Sequence, residues 1–250
     1  MLPATRSATS LPSHFQAKER QSRCTSCSLR ELCIPTGLAE SDMQRVDQIM
    51  TRRRVVRGDS LYRMGDKFTH LYAVRLGHFK THQLSAGGIE QITGFQMAGE
   101  LLGMDAIGSD RHNCYAVALE DSEVCEIPFD RLELLFAEIP PLLRHFHRTM
   151  SQEITRDQNT MLSLGNMLAD QRFAAFLVNL SARYKVRGYS ATHFQLRMSR
   201  EDIGKYLGLT IESVSRLLSK FKKMNWINVD KRDVELNDLP QLKLIAMQQA

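Results

Sequence analysis

The sequence has no apolar run that approaches the roughly 20 residues needed to span a bilayer. Its richest stretch, Leu132 to Leu143, is interrupted by Glu133, Glu138, Pro140 and Pro141. The first 23 residues lack the apolar core of a secretory signal, and Glu19 is their only acidic residue. They read as a flexible arm on a soluble protein. Cysteine is scarce, five in 250 residues, and it is gathered rather than spread. That is not a disulfide framework, and it suits a reducing cytosol. Also missing are a phosphate loop, a Cys-x3-Cys-x2-Cys run and a convergent acid–base pair, so the chain does not read as an enzyme. His70, His78, His82, His112, His145 and His147 are scattered and read as surface or packing residues.

What is present is enough for two modest domains: 250 residues, 43% of them hydrophobic. A net charge of +5 and a pI near 9.0 permit a nucleic-acid partner. The cysteines carry more information. Three of the five fall within ten residues, Cys24-Thr-Ser-Cys27-Ser-Leu-Arg-Glu-Leu-Cys33. Two intervening residues let Cys24 and Cys27 turn onto one metal centre, and five more let Cys33 close a third vertex. A fourth ligand is still needed. No histidine lies among the three, which favours an all-thiolate site for iron–sulfur or zinc.

After the cysteines, Met43, Val46 and Ile49 fall at helical spacing between Glu40 and Met50. From Thr51 to Pro128 short β-rich runs (Arg53 to Val56, His70 to Leu76, Phe79 to Leu84, Ile89 to Phe95) are punctuated by glycines, the signature of a compact antiparallel barrel or roll. Beyond Pro140-Pro141, residues Leu143, His147, Met150, Ile154, Asp157, Met161, Leu164 and Leu168 alternate spacings of four and three. That is a heptad seam. It serves either to pair two copies of one long helix or to lay one helix over its own roll. In the paired arrangement Met150, Ile154, Asp157 and Met161 mediate dimerisation. Asp157 then faces its own copy, at roughly 1 to 4 kcal/mol for a separation of about 4 Å. In the other arrangement it lies at the margin of the stripe and reaches water.

A helix is expected from Asp170 to Tyr184, then a short strand from Phe194 to Met198. Ser199 with Asp202 three residues later signals a helix start, Gly208 a stop, and a second amphipathic helix runs through Ile211, Val214, Leu217, Leu218 and Phe221. This is helix-turn-helix spacing. Glu212, Ser213, Ser215 and Arg216 begin the outer face of the second helix, and Lys220, Lys222 and Lys223 end it. Arg216 can pair with a guanine and Glu212 can accept from a cytosine amino group, with Ser215 beside them; the later lysines suit phosphates. The plain alternative is a solvated helix face. Trp226 to Val229 and Val234 to Leu236 form a hairpin pattern, giving a winged variant.

Several stretches together resemble the CRP/FNR family over nearly the full length: Leu32-Cys-Ile-Pro35, Glu90-Gln-Ile-Thr-Gly-Phe95, Gly103-Met-Asp-Ala-Ile-Gly-Ser109, Val124-Cys-Glu-Ile-Pro-Phe129, Asp202-Ile-Gly-Lys-Tyr-Leu-Gly-Leu-Thr210 and Glu212-Ser-Val-Ser-Arg-Leu217. The resemblance implies an α+β fold: a jelly-roll-like antiparallel β-roll of the cyclic-nucleotide-binding type, a long dimerisation helix and a C-terminal winged helix-turn-helix. The expected division is an arm at 1–23, a cluster-binding and sensor unit at 24–137, the helix at 138–168 and the DNA-binding unit at 169–250. The resemblance also selects Cys125 as the fourth ligand of a 4Fe-4S cluster, one per subunit, with Cys24, Cys27 and Cys33. Cys114 is left as a small buried strand residue.

By the same resemblance the intact cluster favours a DNA-binding homodimer that oxygen returns to monomer, and Asp157 matches an acidic position opposing pairing. Glu212, Ser215 and Arg216 match the base-reading trio for double-stranded DNA with an inverted repeat of TTGAT-like half-sites, and RNA polymerase is an implied partner. The alternative on the same fold is a regulator with a structural zinc or another small-ligand input. A cyclic nucleotide is disfavoured. Gly99-Glu100 is present, but Asn113-Cys114 stands where an Arg-Ser pair is needed and Arg111 is displaced by two residues.

Overall fold

The computed structural model describes residues 20–21, 24–85 and 87–247. Most of the expected arm therefore lies outside the described residues. At its end, β1 (Arg20–Gln21) pairs antiparallel with Thr51 and Arg52.

After α1 (Glu40–Ile49), the chain alternates between two antiparallel sheets. Strands β2 (Thr51–Val55), β3 (Ser60–Tyr62), β4 (His70–Leu76), β5 (His78–Leu84), β6 (Glu90–Met97), β7 (Leu101–Leu102), β8 (Tyr115–Ala118) and β9 (Ser122–Pro128) form them. One sheet has the order β1-β2-β9-β4-β7 and the other β3-β8-β5-β6. Val55, Tyr72, Val74 and Val124 of the first pack against Phe79, Ala116 and Ala118 of the second, closing the roll.

Alternation along β4 and β9 decides the rest. Successive residues point to opposite faces, and on these two strands both faces are apolar. Val74 and Val124 enter the roll, while Leu71, Ala73, Cys125 and Ile127 face outward. That outer face is covered by α1, by α2 (Phe129–Glu138) and by the cysteine-bearing segment, through Cys24, Ile34, Val46, Met50, Leu132 and Leu135. Cys125 thus points at the segment that carries the other three clustered cysteines.

The long helix α3 (Pro140–Asn166) starts two residues later than the 138–168 expectation, because Ile139 leaves the helical region at φ −125°, ψ 80° and separates it from α2. A proline at its first turn costs no hydrogen bond. Leu142 and Phe146, outside the heptad stripe, are buried and anchor its start, with the Phe136 and Phe146 rings 5.0 Å apart.

The C-terminal unit comprises α4 (Ala169–Val186), β10 (His193–Gln195), α5 (Arg200–Leu207), α6 (Ile211–Lys223), β11 (Ile227–Asp230), β12 (Asp233–Leu236) and α7 (Leu239–Met247). Phe173, Leu177, Leu180, Val214, Phe221, Val234 and Leu242 share its core, which Ile92, Phe95 and Met97 of the roll extend. The wing is a three-stranded sheet, β10-β12-β11. The expected strand Phe194 to Met198 is shifted: Phe194, Leu196 and Met198 are all buried, but ladder pairing ends at Gln195 opposite Asp233, where β12 begins. Among the described residues no helix is long and apolar enough to cross a membrane.

Candidate metal centre and nucleic-acid interface

Cys24, Cys27, Cys33 and Cys125 line one small cavity. Its floor is the outer face of the first sheet, where Cys125 sits on the central strand β9 between its ladder partners Arg52 on β2 and Ala73 on β4. Its roof is the segment from Cys24 to Pro35, wound into short 3-10 turns at Cys24–Ser26 and Arg30–Leu32. Backbone bonds from Cys27 N to Cys24 O at 3.1 Å and from Leu32 N to Leu29 O at 2.9 Å belong to those turns, and Arg30 N donates to Cys27 O at 3.2 Å between them. Asp47 of α1 accepts from the Cys24 N–H at 3.0 Å, and the Cys24 thiol donates to the Met50 thioether at 3.7 Å. Thr36 ties the far end by donating to the Cys33 carbonyl at 2.6 Å.

The thiols are mutually close. Burial pushes the Cys33 thiol far up, and the neighbouring Cys125, Cys24 and Cys27 add to the rise. The cavity volume is about 20 Å³, room for little more than one water. Among the described residues no three His, Cys, Asp or Glu side chains close at the distances a single ion needs. The donors therefore converge on the cavity without closing on a single ion. Sulfur is the only donor type the four offer, which matches soft iron–sulfur or zinc chemistry. Cys114 is elsewhere: its thiol donates to Asp105 at 3.5 Å inside the roll, and burial and Asp105 push it up to about 12.

The roof also lies beside α3 and the turn before β7. Burial and then Arg148 lower the His145 imidazole of α3, and the nearby Cys33 backbone acts the other way. Gly99, at φ +91°, has no room for a side chain, since a Cβ would lie 2.9 Å from that of Leu32. Its neighbour Glu100 is half-buried among Arg183, Arg187 and Arg156, with Arg183 Nη2 at 2.5 Å, Arg187 Nη2 at 2.8 Å and Arg156 Nη2 at 3.6 Å. Sequence reading noticed Glu100 but not this use of it.

The stripe on α3 divides. Leu143, Met150 and Leu164 are half-buried, whereas His147, Ile154, Asp157, Met161 and Leu168 are exposed. Met150, Ile154, Asp157 and Met161 flank a cavity of about 650 Å³ between α3 and the roll, so the helix stands off its own roll over this length. Asp157 is exposed yet its carboxyl is raised, by partial desolvation against Arg156 acting the other way.

In the helix-turn-helix, Ser199 accepts from Asp202 N at 3.0 Å and the Asp202 carboxylate accepts from Ser199 N at 3.0 Å, a complete capping box. Helix α5 ends at Gly208 in the left-handed region, φ 62°. Thr210 caps α6 by accepting from Ser213 N at 3.2 Å. Val214, Leu217, Leu218 and Phe221 are buried, which turns Glu212, Arg216 and Lys220 to solvent. Arg216 Nη2 donates to Ser213 Oγ at 3.3 Å, and Arg200 Nη1 of α5 to Ser215 Oγ at 3.3 Å. Arg200 is thus a cation of this face that sequence reading missed. Lys220 pairs with Asp170 at 3.1 Å, an exposed contact of little strength. Glu212 is held ionised, first by its own backbone N–H and then by Thr210.

A Crp-like helix-turn-helix domain model matches residues 171–245, and a cyclic nucleotide-binding domain model matches residues 52–138. The chain is 46% identical over 227 residues to the transcriptional activator protein Anr of Pseudomonas protegens, covering 90% of this chain and 93% of that one. It is 43% identical to the fumarate and nitrate reduction regulatory protein of Salmonella typhimurium, covering 89% and 90%. The chain belongs to the CRP/FNR family of transcription regulators. FixK2 from Bradyrhizobium japonicum has the same fold, with a TM-score of 0.74 and 27% identity over 81% of this chain and all of that one.

Within the CRP/FNR roll, Glu100 and Arg111 are both engaged by other groups of the chain. Glu100 is saturated by arginines of α3 and α4, and Arg111 Nη1 donates to the Gly65 carbonyl at 2.8 Å. The match over residues 52–138 describes the architecture of the roll. The chain is a regulator and not an enzyme.

Proposed function

We propose that this CRP/FNR protein is an oxygen-responsive transcription regulator whose Cys24, Cys27, Cys33 and Cys125 hold one 4Fe-4S cluster per subunit. The observation that carries the reading is the convergence of four cysteines, three from the roof segment and one from β9, on a single cavity. Relatives named as anaerobic regulators, such as that of Haemophilus influenzae at 45% identity, support the oxygen input. A cluster bound there supplies an oxygen-labile redox centre. The protein's own part is mechanical. A cluster held by these four cysteines would order the roof, which lies near His145 of α3 and packs Leu32 against the Gly99–Glu100 turn.

The stripe of α3 then pairs two copies through half-buried Met150 and exposed Ile154 and Met161, against repulsion at Asp157. A two-fold dimer presents two α6 helices to half-sites about one DNA turn, roughly 34 Å, apart. Glu212, Ser215 and Arg216 read TTGAT-like half-sites of an inverted repeat in double-stranded DNA, Ser213 steadies Arg216, Lys220 approaches phosphate, and RNA polymerase is the downstream partner. The test is one anaerobic sample followed by visible spectrum, iron content and DNA binding before and after air. The expectation is a brown protein with about four irons per chain that binds DNA until air bleaches it. A colourless protein holding one zinc overturns the sensor reading.

A further inference from the structure

The four-cysteine cavity is also lined by arginines, among them Arg52 and Arg75. Arg52 is the ladder partner of Cys125, so the two side chains rise beside one another from the same face of the sheet. Arg75 follows Ala73, the other ladder partner of Cys125, by two residues. Both guanidiniums lean on one carboxylate: Arg75 Nη1 donates to Glu123 Oε1 at 2.8 Å, and Arg52 Nε lies 4.0 Å from the same oxygen. Two cations thus share one anion, and the local balance is positive. Moreover, the Nε–H groups of Arg52 and Arg75 are both buried with no hydrogen-bond partner among the described residues. Buried donors without acceptors are rare in folded proteins and call for an explanation. Their neighbour Arg53 differs, being 43% exposed and paired with Glu126 at 3.2 Å.

The chemistry of the proposed centre supplies the missing acceptor. Four thiolates on a four-iron, four-sulfide core leave a net negative charge, and charge and hydrogen bonds at the sulfurs set how firmly and at what potential such a centre is held. We propose that Arg52 and Arg75 are positioning residues for the cysteine-bound centre, offsetting its negative charge and offering their free Nε–H groups to its sulfur atoms, while Glu123 fixes their approach. This rests on the four-cysteine reading above. Arg52, adjacent to Cys125, carries the larger share.

The experiment uses full-length protein reconstituted without air, comparing wild type with Arg52→Gln, Arg52→Lys, Arg75→Gln and Arg53→Gln. Two quantities are read: the rate at which a ferrous chelator removes the visible band under nitrogen, and the midpoint potential. In Arg52→Gln the band should be lost about tenfold faster and the potential should move negative. Arg75→Gln should move both less, and Arg53→Gln neither. Arg52→Lys, which keeps the charge but lacks the Nε–H, should hold its potential near wild type while losing the band faster. A folded Arg52→Gln with wild-type rate and potential overturns the proposal. Should Arg52→Gln not fold, an Arg52→Lys protein with a wild-type rate overturns it instead. A wild-type chain that takes up no iron–sulfur centre removes the four-cysteine reading itself, an outcome visible before any variant is compared.

Discussion

Arg183 grips Glu100 with both ends of its fork, Nε donating to Oε1 at 3.0 Å and Nη2 to Oε2 at 2.5 Å. A bidentate pair of this kind is strong and directional. Arg187 of the same helix adds a bond to Oε1 at 2.8 Å, and Arg156 of α3 stands 3.6 Å away. One carboxylate on the turn between β6 and β7 therefore joins the roll, the candidate dimer helix and the DNA-binding unit. Replacing it by an amide leaves three guanidiniums facing one another. Glu100→Gln should lose roughly 3 to 5 kcal/mol of stability, the usual cost of stranding buried charge. Chemical denaturation measures this, and a loss below about 1 kcal/mol means that water already screens the junction.

The same junction sets an acid limit. Burial alone raises the Glu100 carboxyl, but Arg183, Arg156 and Arg187 outweigh it and hold the group at about 2, against an ordinary 4.5. A carboxyl depressed in the folded state adds stability above its unfolded value, and that stability drains away as pH falls through the folded value. The window is therefore from 4.5 down to about 2. The stability at stake is about 3 kcal/mol at one pKa unit per 1.36 kcal/mol. Near-ultraviolet circular dichroism against pH should show the wild type losing tertiary signal in this window, and a slope in Glu100→Gln that is shallower across it. Equal slopes assign the acid transition to other carboxylates.

Local chemistry was readable in the sequence and distant pairing was not. Cys24, Cys27 and Cys33, the Ser199–Asp202 box and the stop at Gly208 lie within a few residues of one another, so spacing alone places them. The β-runs were legible because alternation reports burial. It misled at Leu196 to Met198, where the side chains alternate and are buried but no strand is left to pair. The break at Ile139 and the anchoring of α3 by Leu142 and Phe146 were hidden, since a heptad stripe says nothing about the residues beside it. Glu100 is separated from Arg183 by 83 residues and from Arg187 by 87, so no spacing rule connects them. Arg52 and Arg75 became candidates only when the ladder placed them beside Cys125.

The outer face of α6 predicts a difference in kind between two sorts of substitution. Glu212 and Arg216 are exposed in its first turns, ahead of the lysines. Glu212→Ala or Arg216→Ala should relax preference at one base position of each half-site, with roughly 1 to 3 kcal/mol of discrimination lost per contact. Lys220→Ala should instead weaken all sequences alike and flatten the dependence of affinity on salt. Competition binding across a set of single-base variants separates the two. A uniform loss in Arg216→Ala removes it from base reading.

Asp157 interrupts an otherwise apolar face of α3 between Ile154 and Met161, which are 54% and 66% exposed. On the proposed dimer it meets its own copy across the two-fold axis, and repulsion of roughly 1 to 4 kcal/mol at about 4 Å opposes pairing. Asp157→Ala should then raise the association constant in air by about tenfold or more, since 1.4 kcal/mol is a factor of ten. Protonation removes the same charge. Partial desolvation already raises this carboxyl in the single chain, against the pull of Arg156, and a facing carboxylate raises it further. The paired form therefore binds its proton more tightly, and association strengthens as pH falls from neutral toward the carboxylate range. The Ala variant lacks this dependence. Sedimentation equilibrium of both proteins at stepped pH decides the matter: equal monomer fractions at every pH would remove Asp157 from the control of pairing.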